Sequence, residues 1–441
     1  MDFVSLIPQF GNLIWTLAAF VLALLVIVGV HEYGHYIVGR WSGIHADVFS
    51  LGFGPVLFSR TDRRGTVWQI AAVPLGGYVK FRGDANAASA PDADAMAQLP
   101  ADQRRTTMPG APLWARAATV AAGPAFNFVF SIIVLTGLAL ATGTPSDPPR
   151  IAQIYGTPIS GITLQPGDTL IEVDGVPFEK APTLLDDEVP HALIPYTVER
   201  DGRVIQVQGP MLSTARIGFV QFNSAAEDAG LRVGDVIMAA NGQPIWRFNE
   251  LIQIVAASNG QPVALQIWRD GAVIDLDISP RRQDILKEDR SFETRWLLGV
   301  SSSSFFEPAT EMPGPVEAFS SAVARTWDVA ASSVSGLYHI AAQKISSCNM
   351  SGAITIAKTS GKMASSGLVD FIAFLAFLST AIGLVNLFPI PVLDGGHLMF
   401  YAYEAVVGRG PSEKVVQVLM SVGLVIVLSI MVFALSNDLF C

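Results

Sequence analysis

The stretch FVSLIPQFGNLIWTLAAFVLALLVIVGVHEYGH, residues 3–35, carries no charged side chain from Phe3 to Val30 and then closes on His31-Glu32-Tyr33-Gly34-His35. A helix needs roughly 20 apolar residues to cross a bilayer, so this run predicts a membrane span with ionisable groups at its end. Helical residues four apart share one face about 5–6 Å from each other, which lets His31 and His35 hold one zinc ion through bonds of about 2.0–2.1 Å. Glu32, beside them, can take a proton from water that the metal acidifies, which is the HExxH arrangement of two ligands and a base. The bland alternative is a chance match of five residues. The setting weighs against it, because an ionisable side chain in an apolar span costs at least about 2.5–3.5 kcal/mol and is a functional candidate by default.

The rest of the chain has the composition such a span requires. Of 441 residues, 51% are hydrophobic and 15% charged, which is too apolar for a water-soluble protein of this size and fits membrane spans joined to soluble modules. A net charge of −10 argues against a nucleic-acid partner. Cys348 and Cys441 are the only cysteines, so neither a disulfide framework nor a cysteine zinc site can be built; a single bridge between them is one alternative, and two unrelated thiols are the expectation.

Four segments lack charge for long enough to cross a bilayer: 3–31, 117–146, 371–393 and 415–437. The first is too long for the apolar region of a signal peptide and follows Asp2 rather than basic residues, so it is retained as a span. Basic residues in short loops mark the cytoplasmic side. Arg40, Arg60, Arg63, Arg64, Lys80, Arg82, Arg104, Arg105 and Arg116 precede the second span, and Arg409 and Lys414 lie between the third and fourth. These loops are therefore expected inside, with the termini and the acidic region 147–370 outside.

Taken in order, residues 1–40 are transmembrane helix 1. Residues 41–83 form a β region of short apolar runs broken by Gly52-Phe53-Gly54-Pro55, Arg63-Arg64-Gly65 and Pro74-Leu75-Gly76-Gly77. Such a sheet can dip into the membrane and hold an extended substrate by strand addition, or it can be a hairpin that merely packs there. Residues 84–112 read as a flexible cytoplasmic linker and 113–142 as transmembrane helix 2. That helix carries Ala122-Gly123-Pro124-Ala125-Phe126-Asn127, in which Asn127 either holds a neighbouring helix or hydrogen-bonds substrate. Residues 282–366 are a connector with an amphipathic helix, 367–393 transmembrane helix 3, 394–414 a cytoplasmic loop and 415–437 transmembrane helix 4.

The outer region repeats itself. GDTLIEVDGVP at 167–177 recurs as GDVIMAANGQP at 234–244, and Arg200-Asp201-Gly202 recurs as Arg269-Asp270-Gly271. The repeat resembles the PDZ domain of bacterial envelope proteases, with copies at 148–209 and 211–281. PDZ domains accept an extended chain end on a sheet edge. In the second copy the resemblance assigns the groove to Arg216-Ile217-Gly218-Phe219-Val220, with Ile217, Gly218 and Phe219 as peptide-binding residues.

A catalytic zinc usually has three protein ligands, and Asp394 is the expected third. Transmembrane helices 1 and 3 cross in the same direction, so their cytoplasmic ends, with His31, His35 and Asp394, fall at one depth. HEYGH together with Asn386-Leu387-Phe388-Pro389-Ile390-Pro391-Val392-Leu393-Asp394-Gly395-Gly396 resembles the site-2 protease family of intramembrane zinc metalloproteases. The tandem PDZ pair is similar to its regulator-of-sigma-E branch. Ser351-Gly352-Ala353-Ile354-Thr355-Ile356 departs from the Ser-Gly-Pro-Ile-Gly-Ile of that family, away from the metal.

The resemblance implies a multi-pass protein of the bacterial inner membrane: four transmembrane helices, a membrane-associated β-sheet and two periplasmic, mainly β, PDZ domains, with the active site near the cytoplasmic side. It implies one zinc on His31, His35 and Asp394, Glu32 as general base, and Asn386, Asn127 and Gly52-Phe53-Gly54 near the substrate. The implied substrates are single-span membrane proteins of the anti-sigma-factor type, already trimmed by an upstream periplasmic protease, and remnant signal peptides. Two other readings use the same residues: a non-catalytic PDZ membrane scaffold, and a metal transporter.

Overall fold

The structure is a computed structural model that describes residues 3–84, 100–181, 191–221, 224–287, 292–346, 348 and 350–440. The chain divides into two compact units, one of Met1–Leu140, Gly314–Tyr338 and Met350–Cys441, the other of Ala141–Pro313 and His339–Asn349.

The first unit is helical. Its helices are α1 (Phe3–Trp41), α2 (Leu113–Thr142), α3 (Pro315–Ala341), α4 (Ala353–Ser366), α5 (Leu368–Asn386), α6 (Asp394–Val407) and α7 (Glu413–Phe440). Among the described residues four helices are long and apolar enough to cross a membrane: Leu13–Trp41, Leu113–Thr142, Leu368–Asn386 and Glu413–Phe440. The first two run into Gly43 and Gly143, whose φ of +85 and +77 stop a helix at little cost because glycine lacks the Cβ that forbids this region. In α3 the expected amphipathic pattern divides by size. Small Ala318, Ala322 and Thr326 are buried, Ala322 against Leu135 and Ala376, while Val316, Phe319 and Trp327 stay exposed. Residues 351–356 open α4, where Asp438 of α7 accepts the N–H groups of Gly352, Ile354 and Thr355 at 2.8, 2.9 and 3.2 Å. A carboxylate there satisfies N–H groups that a helix start leaves without an intrahelical partner.

The β region lies between α1 and α2 as β1 (Ala46–Thr61) and β2 (Val67–Phe81), each folded on itself. Val48–Leu51 pair with Gly77–Lys80 on one side and with Val67–Ile70 on the other, and Val56–Thr61 pair back onto Val67–Ala71. The two strands therefore act as four, matching the short runs in the sequence, with 77–81 along one edge. Val56, Leu57 and Phe58 on the opposite edge are exposed apolar residues.

Two boundaries need correction. Residues 85–99 of the expected linker lie outside the described residues, but its end is packed: Met108 and Ala111 are buried with Ile44, Phe49 and Ala115, and Met108 donates its N–H to the carbonyl of Arg82. Apolar burial overrides the linker-like composition. The expected loop 394–414 is mostly the helix α6, because after Pro389, Pro391 and the Gly395-Gly396 pair the residues 397–407 contain neither glycine nor proline until Gly408 (φ +77).

The second unit is built on strands. It opens with β3 (Thr144–Pro145) and β4 (Ile151–Ile154). Four strands, β5 (Thr169–Val173), β6 (Val176–Pro177), β7 (Ile194–Arg200) and β8 (Arg203–Gly209), form a sheet in the order β6-β5-β7-β8. The second copy gives β9 (Arg216–Val220), β10 (Val236–Ala240), β11 (Gln243–Pro244), β12 (Val263–Arg269) and β13 (Ala272–Ile278), with the helix Phe248–Ala257 before β12. In both copies an Asp-Gly or Asn-Gly pair with both φ positive makes the tight turns: Asp174-Gly175 between β5 and β6 and Asn241-Gly242 between β10 and β11, Asp201-Gly202 between β7 and β8 and Asp270-Gly271 between β12 and β13. Both also bury an aspartate against an arginine. Asp168 accepts Arg200 Nε and Nη2 at 2.6 and 2.7 Å, and Asp235 accepts Arg269 at 2.7 and 2.7 Å. Each aspartate also takes a backbone N–H, from Gln165 or Arg232.

The expected connector 282–366 is a third correction. After the hairpin β14 (Arg281–Leu286) and β15 (Phe292–Leu297), β16 (Val300–Ser303) pairs with β9 and completes the sheet of the second copy. Next β17 (Phe306–Pro308) pairs with β4, and β18 (Thr310–Glu311) with β3. Both copies thus take a strand from far downstream, which a local repeat does not reveal. Cys348 is disulfide-bonded, against the expectation of unrelated thiols.

The paired carboxylates make a testable statement. Replacing Arg269 by leucine strands the Asp235 charge in the core and should cost about 3–5 kcal/mol. Arg200→Leu should do the same through Asp168. Chemical denaturation followed by tryptophan fluorescence reads the loss, and an unchanged midpoint would show that the pair is not structurally required.

Candidate metal centre

His31 and His35 project from one face of α1, and Asp394 comes from the first turn of α6. Their closest atoms form a triangle: His31 Nε2 to Asp394 Oδ2 is 3.0 Å, His35 Nε2 to Asp394 Oδ2 3.5 Å and His31 Nε2 to His35 Nε2 3.1 Å. Four ligands at tetrahedral bonds of about 2.0–2.1 Å lie about 3.3–3.4 Å apart, so the triangle has the edge lengths of a zinc site. Asp394 Oδ2 is buried and has no hydrogen-bond partner, a costly condition for a carboxylate unless a cation completes it. Among the described residues no other group of His, Cys, Asp and Glu side chains has metal-ligand geometry. His397 lines the same cavity but stands outside the triangle.

Close backbone approach creates this geometry. At Gly123 of α2 a Cβ would lie 2.3 Å from His35 Nε2 and 2.8 Å from His31 Nε2, and at Gly34 of α1 it would lie 2.5 Å from the Ala122 carbonyl. Neither helix can carry a side chain at the crossing. The contact lets α2 reach the far nitrogens of both rings: the Thr119 carbonyl lies 2.9 Å from His35 Nδ1 and the Asn127 amide 3.3 Å from His31 Nδ1. On the other side, Gly395 and Gly396 lie against the carbonyls of Leu387, Phe388 and Ile390, each at 2.3 Å from a would-be Cβ. The glycines after Asp394 therefore serve close packing rather than a turn. Arg116 of α2 binds Glu404 of α6 through two hydrogen bonds of 3.0 and 2.6 Å and covers Tyr401, which ties the aspartate's helix to the helix behind the imidazoles.

A cavity of about 230 Å³ opens beside the triangle. Glu32 lines it together with Gly77, Tyr78, Val79, Asn386 and His397. The Val79 N–H hydrogen-bonds the Glu32 carboxylate, and a Cβ at Gly77 would come within 3.2 Å of Glu32 Cγ, so the edge 77–81 of the β region forms one wall.

The remaining expected site residues lie in different places. Asn386 lines the cavity while its Nδ2 donates to the Ile382 carbonyl one turn back. Gly52, Phe53 and Gly54 are not among the residues lining the cavity. They form the corner where β1 changes partners: Gly52 (φ +91) and Gly54 (φ +82) make the bend, and Phe53 stacks on Tyr78 at 6.0 Å. Asn127 is fully buried and does not line the cavity. In the second unit, β9 lies between β10 and β16, so it offers no edge. Ile217 is fully buried, Gly218 lies against the Ser302 backbone and the Ser303 Cβ, and Phe219 alone of the three lines a groove. That groove runs between the helix Phe248–Ala257 and the run Leu297-Leu298-Gly299-Val300-Ser301, which joins the end of β15 to the start of β16. Sequence reading missed this edge, and it missed Thr119, whose contribution is a backbone carbonyl that no side chain announces.

Comparison with known proteins places the chain. The model of Peptidase family M50 matches residues 19–430. A Rhizobium meliloti protein described as a zinc metalloprotease is 35% identical, over 97% of this chain and 97% of its own length. The regulator of sigma-E protease RseP of Escherichia coli is 32% identical over 97% and 99%, and that of Salmonella typhimurium 32% over 97% and 99%. The PDZ domain of an SdrC-like protein from Listeria monocytogenes aligns with 20% of the chain at 16% identity and a TM-score of 0.17, too slight a likeness to bear on the fold. With a family match spanning HEYGH through the fourth apolar helix, and relatives matching end to end, this chain belongs to peptidase family M50, the site-2 protease family of zinc metalloendopeptidases.

Proposed function

We propose that this zinc metalloendopeptidase cuts single-span membrane proteins within their transmembrane helices, with one zinc on His31, His35 and Asp394 and with Glu32 as general base. The observation that carries the reading is the buried triangle of two imidazole nitrogens and an unpartnered carboxylate oxygen at the edge of an apolar span. Zinc held there would acidify a water molecule and polarise the peptide carbonyl. Glu32 takes the water's proton and hands it to the leaving nitrogen, and the Val79 N–H keeps its carboxylate turned toward the cavity.

A transmembrane helix shields its own peptide groups, so it must be opened before it is cut. Among the described residues the edge 77–81 carries no strand on its cavity side, and it would add the unwound substrate as a further strand against the cavity wall. Asn386, half-buried at the cavity, retains a carbonyl oxygen that can accept a substrate N–H. Gly52-Phe53-Gly54 act at one remove, by folding β1 so that Tyr78 is held beside the site.

The two β modules act as tandem PDZ domains outside the membrane, with the second taking a chain end along β16 rather than β9. They admit substrates whose bulky outer part an upstream periplasmic protease has removed. The termini lie on the same outer side of the inner membrane, which accords with Cys348 being disulfide-bonded, since such bonds persist in oxidising compartments. The names of the regulator-of-sigma-E relatives support an anti-sigma-factor type of substrate, and remnant signal peptides are the second class.

Two experiments test the chemistry. Glu32→Gln in purified, zinc-loaded protein should keep its metal and lose about 10²–10⁴-fold in cleavage of a single-span reporter; full cleavage would return the chain to a scaffold or transport role. Gly123→Ala puts a methyl group where the imidazoles stand. Metal analysis of the purified variant should find zinc well below one ion per chain, and a full complement would mean that the crossing is looser than its geometry.

A further inference from the structure

Asn127 lies deep in α2, and the part of it that matters is the side-chain amide. The residue has no exposed surface and is absent from the cavity wall, so it cannot touch a substrate held beside Glu32. Simple helix packing does not explain it either. The Asn127 carbonyl already accepts the hydroxyls of Ser131 and Ser379 at 2.9 and 3.1 Å, and Gly383 of α5 brings a would-be Cβ to 3.0 Å from its Cβ, so an apolar side chain would fill the same crossing. An amide in an apolar interior costs free energy unless its ends are bonded. Its end faces His31 Nδ1 at 3.3 Å, and Oδ1 is buried without a partner.

We propose that Asn127 is the positioning residue for His31, holding the imidazole in the tautomer that leaves Nε2 free to bind metal. The step rests on the zinc reading above. A neutral imidazole that gives the Nε2 lone pair to a cation carries its proton on Nδ1, and that N–H needs an acceptor. His35 has one in the Thr119 carbonyl. For His31 the facing group is the Asn127 amide, and a half-turn about its last bond puts Oδ1 where Nδ2 now stands. The amide then accepts from Nδ1–H, fixing ring orientation and basicity as ligand-supporting groups do at metal sites generally. Thr119 and Asn127 lie two turns apart on α2 with Gly123 between them, so one helix face supports both imidazoles. The hydroxyls of Ser131 and Ser379, from α2 and α5, lock the backbone at 127 and leave the amide rotation as the remaining freedom.

The test compares Asn127→Leu, close in size with no acceptor, with Asn127→Asp, which can only accept. The readouts are the zinc dissociation constant of the detergent-solubilised full chain, by competition with a chromophoric chelator, and the visible spectrum of the cobalt-substituted protein. Asn127→Leu should bind zinc about 10–100-fold more weakly and change the cobalt spectrum, while Asn127→Asp should stay near wild type in both. Three outcomes overturn the proposal: wild-type zinc affinity in Asn127→Leu, equal loss in both variants, or a raised KM at unchanged zinc affinity, which would make Asn127 a substrate contact. His31→Ala is the control. If wild type binds no zinc, or His31→Ala leaves binding intact, the metal-site reading itself fails; if His31→Ala abolishes binding and Asn127→Leu does not, only the role of Asn127 falls.

Discussion

Between α1 and α2 there is no room for a methyl group. Gly34 meets the Ala122 carbonyl and Gly123 meets both imidazoles, and the metal centre depends on that contact. In a membrane, apolar side chains gain little by turning from lipid to protein, so helices associate where small residues let backbones approach and polar groups bond. Here the same contact places the Thr119 carbonyl and the Asn127 amide behind the two rings. Helix packing and the contacts to both imidazoles are thus one feature of one helix face.

Asp394 completes the centre through a second set of close contacts. Two prolines end the chain's helical course after α5, and Gly395 and Gly396 let α6 begin directly against the carbonyls they leave behind. Backbone of this kind at membrane depth is tolerated only when it is buried in protein or lines a cavity, and here it does both. The Arg116–Glu404 pair then ties α6 to α2, so the carboxylate and the imidazoles share one frame.

The β modules follow a different physics. Each is held by a buried Asp–Arg pair and by two-residue turns that demand positive φ, and these local signals made the repeat visible in the sequence. The strands that close the modules are not local. β16 and β17 return from beyond residue 299 to pair with β9 and β4, and their sequence carries no copy of the repeat. For this reason Ile217-Gly218-Phe219, expected at a sheet edge, lie on an inner strand, since which strand is an edge depends on what else pairs with it.

The sequence by itself marked the four apolar helices and the repeated modules, and His31, Glu32, His35 and Asp394 as candidates for one metal site. Each of these is written in periodicity, spacing or charge within a few tens of residues, or in the depth at which two spans end. Only the tertiary structure decided that Asn127 faces His31 instead of the cavity, that Gly123 and Gly395-Gly396 serve close approach, that the edge 77–81 walls Glu32, and that β16 rather than β9 is an end strand of the second module. These depend on which backbone lies opposite a residue hundreds of positions away. A glycine reads the same in sequence whether it bends a turn or clears space for an imidazole.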